Sequence, residues 1–264
     1  MKDILIKKVL LTLLLVVLQT AEPCAMEVKH YFDAVVGIFN AAEADFTYEI
    51  DTSRYATKTN IYTRGLFDAL YPFAAKYATS GKFINNHMQT ENYSYESQSR
   101  FNNRTKKVIY DSCGIPLKSV STKNGKEKIK NIKIRTDVTD TTDLQSVMAD
   151  VINQYTKKQT CSAVKKVFDG KRRYNVIFED LGKEEVIKSD YSPYFGEAIK
   201  CSMYIDKLKE HGNDMLWKMA SDSPVYLWIM RDKETNFPFI VKIMVEDTPL
   251  GELNVYTTRI EVKK

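Results

Sequence analysis

Apolar residues recur at every second position along much of this chain, and that alternation constrains its fold more than any other feature. Between residues 44 and 50, Ala44, Phe46, Tyr48 and Ile50 alternate with charged or polar residues. Successive side chains of a β-strand point to opposite faces, so this pattern predicts a strand with one buried face. The same alternation returns at 93–101, 174–179, 199–205 and 253–257.

Other segments extend this pattern into a sheet. Residues 55–64 follow a polar turn and indicate a returning strand, while 224–232 and 239–247 are apolar strands separated by a turn. Together the spacing predicts roughly nine to eleven strands in a mainly β fold: one strongly curved antiparallel sheet, a half-barrel or partial barrel. We expect a single domain over residues 26–264, a length that one β domain commonly reaches.

One amphipathic helix is predicted after residue 143, and we expect it to cover the sheet. Its apolar residues share one stripe at helical spacing. The segment 140–143 supplies oxygens that can cap its first turn, and two lysines near its end suit the helix dipole. The stripe consists of Leu144, Val147, Met148, Val151, Ile152 and Tyr155.

Two other segments are less regular. Residues 66–76 are apolar but contain Pro72, which favours a short helix or an irregular segment. Residues 117–135 are rich in lysine, and we expect a solvated loop with a short edge strand at 130–135, where lysine discourages pairing between molecules.

The first 25 residues have the features of a secretory signal peptide. Three lysines precede an apolar run at 9–18, which is too short to cross a bilayer. Cys24 could accept a lipid, but the residues before it lack the small side chains of a lipidation motif, so no lipid anchor is expected. No other segment is long and apolar enough for a transmembrane helix, and we expect none in the exported chain.

Three cysteines follow this leader: Cys113, Cys161 and Cys201. In an oxidising compartment two of them can bridge, and we predict the pair Cys161–Cys201 because the two flank one strand-rich segment. The alternative is that all three are buried as small apolar side chains. No metal site is predicted, because His30 and His87, like His211, have no nearby cysteine or histidine partner.

Charge and motifs exclude several classes of function. The net charge of +5 is too small to indicate nucleic-acid binding. The chain has neither a Gly-x-Ser-x-Gly element nor a Walker-type loop, so we expect no enzymatic activity, no catalytic residues and no cofactor. Asp169 beside Lys171 is interpreted as a turn aspartate in water with an ordinary pKa.

The segment VFDGKRRYNV at 167–176 joins an Asp-Gly pair to three cations. Asp-Gly predicts a hairpin with a two-residue type I′ turn. That turn would pair Phe168 with Lys171 and would place Lys166 directly opposite Arg173. Since opposed cations repel, this register indicates either a solvated face or an anionic head group bound by Lys166, Lys171 and Arg173.

These landmarks resemble the bacterial exported family known as domain of unknown function 3108, from about Val35 to Arg259. The segments that carry the resemblance include TRGLFDAL at 63–70, DLQSVMADVI at 143–152, VFDGKRRYNVIF at 167–178 and VYLWIMRD at 225–232. The resemblance implies a periplasmic protein whose curved sheet is similar to the half-barrels of periplasmic lipoprotein carriers. It implies no catalytic residues.

Two functions fit these expectations. The first is binding or carriage of a lipid or other amphiphile on the apolar concave face of the sheet, with cations meeting its head group. The second is an interaction or assembly role in the cell envelope, in which another protein binds the sheet edge or the surface. An empty apolar cavity would favour the first function, and a filled interior would favour the second.

Overall fold

The computed structural model describes residues 26–84, 87–133, 139–207, 224–248 and 251–263. The predicted signal peptide and Cys24 lie outside these residues. Within them the chain forms two helices and a single antiparallel sheet. The strands are β1 (Met26–Val36), β2 (Phe39–Ile50), β3 (Arg54–Thr63), β4 (Phe73–Ile84), β5 (His87–Ser99), β6 (Asn103–Tyr110), β7 (Pro116–Lys123), β8 (Lys126–Asn131), β9 (Ala163–Phe168), β10 (Arg173–Val186), β11 (Gly196–Lys207), β12 (Val225–Arg231), β13 (Pro238–Thr248) and β14 (Gly251–Lys263). The helices are α1 (Gly65–Leu70) and α2 (Leu144–Lys158).

The sheet has 14 strands in the order β8-β7-β6-β5-β4-β3-β2-β1-β14-β13-β12-β11-β10-β9. Neighbours are consecutive in the chain everywhere except at β1 and β14, the first and last strands, which pair in the middle. The edge strands β8 and β9 do not pair with each other in the described part of the chain, so the sheet is not closed into a barrel. The predicted antiparallel sheet is confirmed, and the predicted number of strands was too low.

The expectation of a solvated loop at 117–135 was wrong, because the segment begins with strand β7 (Pro116–Lys123), and the strand predicted at its end was misplaced. The structure has β8 at Lys126–Asn131, whereas the sequence predicted 130–135, of which 134–138 lie outside the described residues. Asn124 and Gly125 form the turn before it, with φ of 49° and 79°. These positive φ angles suit a two-residue hairpin turn, and they start the strand earlier than lysine content alone indicates.

The two edges of the sheet, β6–β8 and β9–β10, approach each other in space. Lys106 Nζ on β6 donates a hydrogen bond to the carbonyl oxygen of Asp169, in the β9–β10 turn, at 2.9 Å. Thr142, just before α2, forms a parallel bridge with Val167 on the edge strand β9. Since β6 and β9 lie far apart in the strand order, the sheet must curve strongly to bring them together.

Helix α2 begins and ends with well-defined caps. Asp143 accepts hydrogen bonds from the backbone N–H groups of Gln145 and Ser146, and Gln159 closes the last turn in a left-handed conformation. The predicted cap and stripe are confirmed. Burial extends beyond the stripe, because Ser146 and Ala149 are also buried. The helix contacts β3, β4 and β5 on one side and β9 and β13 on the other.

The core lies on both faces of the sheet in its β10–β14 part. One cluster surrounds α2 and includes Leu227 and Ile240, while a second includes Trp228 and Phe239. Adjacent residues of a strand face opposite sides, so these clusters occupy opposite faces. We call the face that contacts α2 the inner face. On the outer face, the rings of Tyr194 and Phe239 lie 4.9 Å apart.

Candidate functional site

The register of the β9–β10 hairpin differs from the predicted one. Arg173 pairs with Phe168, and Asn175 pairs with Lys166. The connection therefore contains four residues, 169–172, where the sequence predicted two. Lys166 and Arg173 are not directly opposed, and the cation pair expected from the type I′ turn is wrong.

The side chain of Asp169 explains the wider turn. Its carboxylate accepts hydrogen bonds from the backbone N–H groups of Lys171 and Arg172 at 2.8 and 2.7 Å, and from Arg172 Nε at 2.7 Å. Burial alone would raise the pKa of Asp169, but the charges of Lys106 and Arg172 outweigh it and hold the pKa below its ordinary value. The expectation of a solvated aspartate with an ordinary pKa was wrong.

The three predicted head-group residues have different surroundings. Lys171 is exposed in the turn. Lys166 is exposed and forms an ion pair with Asp140 at 3.3 Å. Arg173 is half-buried, and its guanidinium donates to Asn175 Oδ1 at 3.0 Å and to the carbonyl oxygen of Tyr174. An anionic head group at these residues stays a prediction.

The turn of this hairpin contacts strands β6 and β7, near the opposite edge of the sheet. Gly170 has a φ of 84° and is buried. A Cβ atom built there would lie 2.8 Å from Val108 Cγ2 and 3.2 Å from Ser119 Oγ, on β6 and β7. Glycine is thus required both by backbone conformation and by the closeness of the two surfaces.

The most elaborate buried polar arrangement lies at the start of α2. Asp143 accepts hydrogen bonds from Thr79 Oγ1 on β4 and Thr90 Oγ1 on β5, both at 2.9 Å. Ser146 Oγ donates to it at 2.6 Å and is 2.9 Å from Tyr55 Oη on β3. We call Tyr55, Thr79, Thr90, Asp143 and Ser146 the Asp143 cluster.

This cluster ties the helix to the sheet. With the two backbone N–H groups of the cap, the carboxylate accepts five hydrogen bonds, so its lone pairs are occupied. Burial and the charge of Asp143 raise the pKa of Tyr55, which keeps the phenol protonated as a donor. The sequence identified Asp143 as a cap. Its partners could not be found there, since Tyr55, Thr79 and Thr90 are ordinary strand residues.

Cys161 and Cys201, the pair predicted from the sequence, are joined by a disulfide, and Cys113 is free and exposed.

His30 is completely buried among the rings of Phe32, Phe46 and Phe239. Burial lowers its pKa to about 4.

A cleft of about 320 Å³ opens beside the β2–β3 turn. Its lining includes Glu49, Asp51, Arg54 and Glu91, and an ion pair of 3.5 Å between Arg54 and Glu91 crosses it. These charged walls suit a polar molecule and do not provide the apolar cavity that a lipid tail needs. The inner face is covered by the buried stripe of α2, so by the cavity criterion this arrangement favours the interaction role, and lipid binding requires the helix to move.

The fold and these contacts define a protein built on one strongly curved, barrel-like antiparallel sheet. The structure is similar to the crystal structure of a beta-barrel-like protein of domain of unknown function DUF1849 from Brucella abortus, with a TM-score of 0.52 and 8% identity. The match covers 90% of this chain and 98% of that chain.

The family model described as "Protein of unknown function (DUF3108)" matches residues 28–258, so the chain belongs to this family. The comparison with curated proteins found no match. Neither helix in the described ranges is long and apolar enough to cross a membrane. Those ranges also contain no group of three or more His, Cys, Asp or Glu side chains suited to a metal ion.

Proposed function

We propose that this protein is exported to the periplasm and, without catalysing a reaction, binds a lipid or other amphiphile between the inner face of the sheet and α2. The observation that carries this proposal is the apolar inner face itself, against which Val147, Val151 and Ile152 of the helix pack. Aliphatic side chains and an acyl chain bury the same kind of surface, so an acyl chain can replace the helix stripe there.

The contacts that hold α2 set the free-energy cost of its displacement. At its start, the helix is joined to β3, β4 and β5 by the hydrogen bonds of the Asp143 cluster. Further along, Asp150 forms an ion pair with Lys165 on β9. Each hydrogen bond to a carboxylate contributes about 1.5–3 kcal/mol net, so a ligand must bury many methylene groups to compete with them.

The compartment is supported by two features. The predicted signal peptide at 1–25 would direct export, and the Cys161–Cys201 disulfide suits an oxidising compartment such as the periplasm. Periplasmic fractionation of cells that express the full chain tests this point.

The binding proposal is tested with the acyl probe cis-parinaric acid and with mass spectrometry of organic extracts from gently purified protein. Thr79→Val removes one hydrogen bond from Asp143. A loss of about 2 kcal/mol from the closed state should tighten apparent probe binding about thirtyfold, because the open state becomes more populated.

Thr105→Val is the matched control, because it also removes a threonine hydrogen bond, to Thr122 at 2.8 Å, but on β6 away from α2. It should leave probe binding unchanged. Empty extracts, together with no probe uptake by either variant, would contradict the proposal. Unchanged binding by Arg173→Glu would remove only the predicted head-group site.

A role in which another protein adds a strand to the sheet is less well supported. The edge strand β8 is exposed throughout and carries Lys126, Lys128 and Lys130. Lysines on an edge strand oppose pairing with a further strand.

A further inference from the structure

In the β1–β8 part of the sheet, four chain connections lie at the same end of the strands. In an antiparallel meander, connections alternate between the two ends, so those following β1, β3, β5 and β7 share one end. We call these four connections the rim, and they are residues 37–38, 64–72, 100–102 and 124–125.

The first two connections of the rim expose large apolar side chains. Ile38 is 82% exposed and Tyr71 is 73% exposed, and Phe39, Leu66 and Leu70 are each at least half exposed. Helix α1 buries none of its residues and lies beside the start of β2, where the N–H of Arg64 donates to the carbonyl oxygen of Ala41 at 2.9 Å. These five apolar side chains are therefore exposed on neighbouring segments of the chain. We call them the apolar corner. Scattered apolar residues need no explanation, but a contiguous group of this kind marks an interaction site.

The last connection of the rim is flanked by opposed cations. Arg104 pairs with Lys123 across β6 and β7, and Lys123 pairs with Lys126 across β7 and β8. Like charges in directly opposed positions destabilise a sheet, and an anion beside them relieves the repulsion. All three side chains are exposed, and no ion pair joins them to another described residue. We call Arg104, Lys123 and Lys126 the cation row.

Phe101 connects these two features. It lies in the β5–β6 connection between them and is 76% exposed. Arg100 beside it is exposed as well. Near the apolar corner, Glu43 forms an ion pair with Arg64, while Asp33 and Asp68 accept hydrogen bonds from Asn40 at 3.3 Å and from Thr63 at 3.0 Å. Glu127 on β8 is the acid next to the cation row.

We propose that the rim docks this protein on an anionic lipid surface, with the apolar corner and Phe101 entering the head-group region and the cation row binding lipid phosphates. A bilayer accepts apolar side chains at many points of one plane, whereas a protein partner would need a separate pocket for each. Anionic lipids supply the charge that the opposed cations lack. This docking goes beyond amphiphile binding and does not require it.

The test is sedimentation with vesicles of phosphatidylcholine containing phosphatidylglycerol, using purified protein whose N-terminus is determined by mass spectrometry. Every variant is made in the same background, so any contribution of residues 1–25 is common to all. Ile38→Ser should weaken binding about tenfold, the effect of withdrawing one large aliphatic side chain from the interface. Ile187→Ser is the matched control, because Ile187 is 83% exposed but lies at the opposite end of the sheet, just after β10.

A second pair of variants tests the charges. Lys123→Glu should weaken binding by at least fivefold, since each cation near such a surface is worth about 1 kcal/mol and the reversal adds repulsion. Lys188→Glu, an exposed lysine beside the control isoleucine, should have little effect. Binding should also fall as salt concentration rises.

Several results would overturn docking. One is an equal loss for Ile38→Ser and Ile187→Ser, and another is equal binding to vesicles of phosphatidylcholine alone. If Ile38→Ser dissociates a dimer in sedimentation velocity but leaves vesicle binding unchanged, the apolar corner is an interface between two copies. Probe uptake by a variant that no longer binds vesicles would separate docking from the amphiphile proposal.

Discussion

The two parts of the sheet on either side of β1 differ in how they are stabilised. In β13, the residues from Pro238 to Val241 are all buried, because apolar clusters cover both faces of the sheet there. In contrast, β8 is exposed at every residue, and β5 has a single fully buried residue, Thr90. The β9–β14 part is buried on both faces of the sheet, whereas the β2–β8 part has one face exposed to solvent.

This difference bears on how the structure could open. The β9–β14 part packs on α2 with apolar side chains such as Val167 and Val245 and adds the Asp150–Lys165 ion pair, whereas β3, β4 and β5 hold the start of the helix through the Asp143 cluster. Apolar contacts tolerate sliding, and hydrogen bonds have fixed geometry. If an amphiphile displaces α2 as proposed, it must break the hydrogen bonds to β3, β4 and β5, whereas on the β9–β14 side it replaces mainly apolar contacts.

The largest expected effect comes from removing the Cys161–Cys201 disulfide. It joins the segment before β9 to β11 over a sequence separation of 40 residues. The variant with both residues changed to alanine should lose about 4 kcal/mol of unfolding free energy. Urea unfolding measures this loss, and Cys113→Ala is the control, because Cys113 is free and exposed. A loss below about 1 kcal/mol would contradict a disulfide-stabilised β9–β14 part.

A second prediction concerns His30 on β1, where the two parts meet. Its pKa is about 4 in the folded protein and 6.5 when solvated, so the unfolded chain binds the proton more readily. Stability should be full above pH 6.5 and should fall as the pH decreases, by about 3 kcal/mol at pH 4. His30→Phe should flatten the profile in this window. An unchanged slope would show that other groups cause it.

The third and smallest effect tests the contact between the β9–β10 turn and β6. Gly170 and Gly182 have similar φ angles, 84° and 89°, but a Cβ atom at Gly182 would meet nothing within 4 Å. Both alanine variants carry the backbone strain, and only Gly170→Ala also clashes with Val108. We expect Gly170→Ala to cost about 2 kcal/mol more than Gly182→Ala in thermal or urea unfolding. Equal losses would mean that the β9–β10 turn does not pack against β6.

Local patterns predicted most of the sheet and the helix, and their failures share a cause. The Asx-Gly rule correctly describes Asn124-Gly125, which is a two-residue turn in water with Lys123 opposite Lys126. The same rule fails at Asp169-Gly170, because Asp169 binds Arg172 and lies near Lys106 from another strand. The widened turn is a tertiary effect that the ten residues around it do not encode.

The site shows the same limit. The sequence predicted that Lys166 and Arg173 oppose each other, and the structure does not pair them. The opposed cations Arg104, Lys123 and Lys126 lie on other strands and were not predicted. To predict the cation row, one must know how β6, β7 and β8 are aligned with one another. A one-residue change in any register moves a side chain to the other face, so composition alone could not locate it.

The pairing of β1 with β14 also determines the order in which the chain can be assembled. Glu27 lies opposite Lys263, and the remaining strands each pair with a neighbour in sequence. Two hairpin ladders can thus form independently as the polypeptide emerges, but they can be joined only when the final strand arrives. A circular permutant that links the end of β14 to the start of β1 and is cut between β8 and α2 would convert the fold into an uninterrupted meander. Its refolding should be faster than that of the natural order, because the slow closure of the longest loop is no longer needed.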